Sequence, residues 1–290
     1  MQSYRPFPMR SFLVALIVLL AAGPCRAAAE EMHADSIDIE YVAPTSAKLK
    51  PVYDLVKNAH VLERIRGILI PLKLPRRLLL KTEGCNGDNN AWYDDGVITV
   101  CYEFLDEFWK NVPKTTTPRG VTPMDALVAP IVDTFLHEVG HAVFDLWHVP
   151  VLGREEDAAD FFSAYLMLKF NKQESRRLIM GTAYQYREYI RKTNVTLPVV
   201  KFADEHAVPA QRFYNILCIA YGSNEAPFND FVEKGYLPKD RASNCSDEYK
   251  QIAYAFDKLL SPHIEPGLAE ELHLHQLPPA DRQPQRRNAR

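Results

Sequence analysis

Residues 131–147 read IVDTFLHEVGHAVFDLW, and this run decides the fold around it. Its apolar positions, among them Phe135, Leu136, Val139, Ala142, Val143 and Leu146, recur at the three- and four-residue spacing of a helix. Within it lies His137-Glu138-Val139-Gly140-His141, an HExxH pattern. Positions four apart share one helix face, so the two imidazoles can aim at one point. Zinc takes imidazole nitrogens at about 2.0–2.1 Å and, in a catalytic site, keeps one position open for water. Glu138 leans toward the same cleft without being a ligand. Its carboxylate can take a proton from metal-activated water and pass it to a leaving amine. Gly140 leaves room for close approach. The plainer reading is an amphipathic helix with two surface histidines, and a third ligand is what decides between them.

The candidate third ligand is Glu156, fifteen residues after His141, within Glu156-Asp157-Ala158-Ala159-Asp160. A connector of that length, ending at Gly153, lets a second helix fold back beside the first. Glu156 and Asp160 then share a face. Glu156 completes a His₂Glu site for one Zn²⁺ per chain. Asp160 accepts from the second nitrogen of a ligand histidine. Ala158 and Ala159 permit close helix packing. Glu155 is the rival ligand, less favoured because it does not share the stripe with Asp160. Glu155 and Asp157 also suit a solvated acidic first turn. Asp133 and Asp145 flank the histidines and read as ordinary polar positions or as support for the ligands. A metzincin is excluded, since Phe144 and Trp147 stand where its glycine and third histidine belong.

Residues 36–42 alternate as a strand, and 77–82 and 97–100 read as strands. Residues 84–90 and Asp94-Asp95-Gly96 read as turns. Residues 49–65 have helix-like spacing. Thr122-Pro123 marks a helix start, with Asp125 in its first turn. Pro130 predicts a kink or restart. Further helices are expected over 155–169, 174–192, 211–220 and 247–260. The expected class is α+β and zincin-like: a small N-terminal antiparallel sheet, then a mainly helical part. The strand 97–100 is expected to line the cleft and pair with an extended substrate.

Of 290 residues, 47% are hydrophobic and 24% charged, which supports a real core. There is no basic patch with interleaved aromatics, so no nucleic-acid partner is expected. Arg5 and Arg10 precede a short apolar run and small residues, predicting a signal peptide over 1–29, a domain over 30–265 and a disordered tail over 266–290. Cleavage removes Arg5, Arg10 and Arg26 from 34 basic residues, leaving 31 against 37 acidic ones, a balance of −6. It also removes Cys25. The remaining Cys85, Cys101, Cys218 and Cys245 allow three pairings, of which the two local ones, Cys85–Cys101 and Cys218–Cys245, are favoured. The expected location is periplasmic or secreted, with no stable membrane span after cleavage.

The chain resembles a bacterial family described only as putative metallopeptidases of unknown function, within the wider gluzincin group. The resemblance rests on HEVGHAVFD (137–145), GREEDAADFF (153–162), DEHAVPAQRFYN (204–215), Cys101-Tyr102-Glu103 and GYLPKDRASNC (235–245). It implies a zincin-like fold and supports the two disulfide pairings. A group must also stabilise the oxyanion of the tetrahedral intermediate. His206, Arg212 and Tyr214 lie in the resembling stretch, and His206 ranks first because an imidazolium can donate. The expected function is an exported zinc metallopeptidase acting on a peptide or protein substrate. The alternative is a zinc-stabilised binding or inhibitory module that does not cleave.

Overall fold

The structure, a computed structural model, describes residues 36–192 and 202–265. The expected signal peptide and tail lie outside those residues.

Strand β1 (Ile37–Tyr41) is followed by helices α1 (Lys50–Asn58) and α2 (Val61–Leu69), then β2 (Leu78–Glu83). The single helix expected over 49–65 is two, because His60 between them takes a left-handed conformation, φ 52°. Strands β3 (Ala91–Asp94) and β4 (Val97–Cys101) complete a sheet of order β1-β2-β4-β3. The sheet is mixed, which corrects the antiparallel expectation. β1 pairs parallel with β2 and β2 parallel with β4, and only β3 and β4 run antiparallel. The reason is the helical pair between β1 and β2: a crossover returns the chain in the same direction, where a hairpin would reverse it.

β3 and β4 join through Asp95-Gly96, both at positive φ (40° and 86°). That is the two-residue turn whose twist matches a hairpin. β4 therefore has neighbours on both sides, and the expectation that residues 97–100 face a substrate is corrected. The edge strand on that side of the sheet is β3. The Cys85–Cys101 disulfide ties the loop before β3 to the end of β4. Glu103 holds the same loop by accepting from the backbone N–H of Cys85 and Gly87.

Helix α3 (Tyr102–Asn111) leads to α4 (Pro123–Leu146), the central helix. α4 starts with a reciprocal cap: Asp125 N–H donates to the Thr122 hydroxyl at 3.1 Å and Thr122 N–H to the Asp125 carboxylate at 3.3 Å. Helices α5 (Glu155–Met167) and α6 (Lys172–Lys192) pack against it, and α7 (Pro209–Ser223) packs on those two. Two single turns, α8 (Asp230–Glu233) and α9 (Lys239–Ala242), precede α10 (Cys245–Leu259), which Cys218–Cys245 links to α7. α4 is long and apolar enough to cross a membrane, but it is mostly buried inside the protein, as a core helix is.

Pro130 neither ends nor restarts α4. A proline inside a helix deprives the carbonyl four residues earlier of its donor. Here that carbonyl is Ala126 O, and the buried Gln185 amide of α6 donates to it at 2.9 Å. The other end of that amide accepts from Asn111 at 3.1 Å. A side chain from the neighbouring helix thus replaces the missing rung. Tyr93 of β3 donates to Asp145 at the far end of α4 at 2.6 Å, and Arg76 reaches the same carboxylate. The sheet edge is thereby fixed relative to the histidine helix. Gln185→Leu leaves a buried carbonyl unpaired and is expected to cost about 1–3 kcal/mol. A urea midpoint equal to that of the parent would contradict the splice.

Candidate metal centre

The α4 histidines meet the first turn of α5 because the two helices touch backbone to backbone. A Cβ on Gly140 would lie 3.0 Å from the Ala159 Cα and 3.2 Å from its Cβ. This contact brings Glu156 onto both imidazoles. Its Oε2 lies 3.0 Å from His137 Nε2 and 3.5 Å from His141 Nε2. The two Nε2 atoms are 3.2 Å apart. His206 adds a further nitrogen, its Nε2 2.8 Å from the same Glu156 oxygen. Its ring stacks on that of His137, with centroids 5.8 Å apart.

These separations suit a metal. Ligands at about 2.0–2.1 Å in a tetrahedron stand roughly 3.3 Å from one another. The donor set, imidazole nitrogens and one carboxylate oxygen, is one that divalent transition metals take. A second cluster, Cys85, Cys101 and Glu103, offers no thiolate because both cysteines are disulfide-bonded.

The outer nitrogens of the histidines are held too. His137 Nδ1 meets Asp160 at 2.9 Å, and His141 Nδ1 meets Glu155 at 2.8 Å. Glu155 thus sits on the far side of the His141 ring from Glu156, and Asp157 pairs with Arg154. Asp160 in turn accepts two bonds from Arg212 of α7. Arg212 lies over the Tyr186 ring at 4.9 Å. Its guanidinium is therefore taken up in supporting Asp160, and the expectation of it as an oxyanion donor is set aside. Tyr214 is exposed and packs edge-on against Phe213. Asp133, read as an ordinary polar position or as support for the ligands, is buried and accepts from Ser163 and Tyr186. Its three-residue offset from Leu136 shows only that it faces inward. That offset gives no sign of its partners on α5 and α6.

Charge follows geometry. Burial raises the Glu156 carboxyl, but hydrogen bonds with His137, His141 and His206 outweigh this and hold it well below the usual range. Burial likewise raises Asp160, and Arg212 and His137 hold it down. Burial pulls His137 down, yet Asp160 and Glu156 win and push it up to about 9. Glu138 is different. It makes no hydrogen bond among the described residues, and burial pushes it above the ordinary carboxylate range. Glu138 and His206 share the wall of a cavity of about 100 Å³, together with Asn90 and Ala91 at the start of β3.

A family model described as "Putative metallopeptidase" matches residues 41–260, well over half the chain. The chain belongs to that family. No curated protein and no solved structure matches it.

A histidine raised in the folded state contributes stability that is complete below its ordinary value of 6.5 and lost as pH rises through about 9. Metal-free protein is therefore expected to be less stable to urea at pH 9.5 than at pH 6.5. A saturating divalent metal ion should remove the decline, because the bound ion takes the place of the proton. A flat profile for the metal-free protein would contradict the pairing.

Proposed function

We propose that the chain is an exported zinc-dependent peptidase in which Glu138 is the general base and His206 steadies the oxyanion. The observation that carries this is Glu138 itself. It is buried beside the His137–His141–Glu156 cluster, without a hydrogen bond among the described residues, and opens on a cavity. A structural metal site has no use for such a group and closes its fourth position. A carboxylate raised by burial is a better match to proton transfer near neutrality.

His137, His141 and Glu156 would hold the ion. When bound, it supplies Lewis acidity toward water and the scissile carbonyl. Glu138 takes the proton from the attacking water and delivers it to the leaving nitrogen. Asp160 and Glu155 keep the two imidazoles turned inward, and Arg212 keeps Asp160 charged. β3, an edge strand of the sheet, can pair with an extended peptide. Export accords with two disulfides, which persist in oxidising compartments.

Glu138→Gln is expected to abolish chelator-sensitive cleavage of a peptide library while zinc content stays at one per chain. Cleavage at the parental rate would sink the mechanism, and an inactive but zinc-loaded parent would favour the binding-module reading. For His206 the geometry permits two roles, since its Nε2 is close enough to Glu156 to be a ligand. His206→Ala should lower kcat by about 10²–10³ with zinc retained, if it is an oxyanion donor. Loss of zinc from this variant would make it a fourth ligand instead.

A further inference from the structure

The cavity beside Glu138 has His137 in its lining and reaches between α3, α4 and α6. Phe104, Phe108 and Pro130 give it apolar walls, and Thr182 lies in its lining. At about 100 Å³ it has room for several water molecules, each of which needs roughly 10–15 Å³ on this measure. A side chain of a few heavy atoms fits that space.

Thr182 is 1% exposed, and its hydroxyl has no hydrogen-bond partner among the described residues. A helical threonine has an easy solution, a bond back to the carbonyl four residues earlier. Thr134 takes it, donating to Pro130 O at 2.8 Å. Thr182 does not. Its neighbours on the wall are engaged elsewhere: the Gln185 amide with Ala126 and Asn111, and the Tyr186 hydroxyl with Asp133. A buried hydroxyl without a partner, in the same lining as Glu138, is a group that a ligand can satisfy.

We propose that this cavity receives the substrate side chain next to the scissile bond, and that Thr182 selects one that is neutral and hydrogen-bonding: Ser, Thr, Asn or Gln. The inference rests on the peptidase reading. Charge is disfavoured because the walls of Phe104, Phe108 and Pro130 give it no solvation and Arg212 is already paired with Asp160. An aliphatic residue of equal size fits but leaves the hydroxyl unpaired. It must also displace whatever solvent the hydroxyl held without replacing the bond.

The test uses peptides that differ at one position by near-isosteres, Thr against Val and Asn against Leu. The parent enzyme should favour the polar member by at least about tenfold in kcat/KM, the factor that one such bond decides. Thr182→Val should erase or invert the preference, and Thr182→Ser should keep it. Binding of the same peptides to zinc-loaded Glu138→Gln, followed by calorimetry, should show the same order without turnover. Chelator-sensitive cleavage with no preference in the parent, or an unchanged preference in Thr182→Val, overturns the role of Thr182 alone. If Thr182→Val does not fold, the parental preference and the calorimetric order still decide. No chelator-sensitive cleavage of any peptide overturns the peptidase reading, and this inference falls with it.

Discussion

The molecule depends on one close approach, that of α4 to α5 at Gly140 and Ala159. Without a side chain at 140 the helices come near enough for Glu156 to reach two imidazoles at once. Moving α5 outward by the thickness of a methyl group would leave the carboxylate short of one of them. The α4–α6 contact is just as tight: a Cβ on Gly181 would sit 2.3 Å from the Asp125 carbonyl oxygen. α4 is thus held on two faces by glycine contacts, and the histidines inherit that rigidity.

Such packing gathers charge where water is scarce. Asp133, Asp160, Glu138 and His137 are all buried or nearly so, and isolated buried charges are costly. The protein meets this by pairing. Arg212 grips Asp160, Asp160 grips His137, and Glu156 faces three imidazoles. Asp133 is instead pushed above the usual carboxylate range by burial and by the nearby Asp160, and takes hydroxyl donors. Of these four groups Glu138 is the one without a hydrogen bond among the described residues, and that asymmetry is what separates a working site from a merely stable one.

Much of this was legible in the sequence. The spacing of His137, His141, Glu156 and Asp160 carried the convergence, since helical periodicity turns sequence offsets into directions. The Thr122 cap and the two local disulfides were likewise local signals. What depended on distant partners was not legible. β3 is only four residues long, with no alternation to mark it, although Asp95-Gly96 did announce a turn. The parallel pairing of β1 and β2 followed from the helices between them, a topological fact that strand patterns do not carry. Arg212 looked like a group for the substrate, because nothing in its neighbourhood names Asp160 fifty-two residues away.

The repair at Pro130 has a consequence for how this chain can change. Gln185 matters because position 130 lacks an N–H, and Pro130 is tolerable because position 185 supplies one. Their substitutions should therefore be non-additive. Losing the amide first strands a carbonyl, whereas losing the proline first restores the donor and makes the amide dispensable for α4. The two sites form an ordered evolutionary step, open in one direction and obstructed in the other, next to the helix that carries the chemistry.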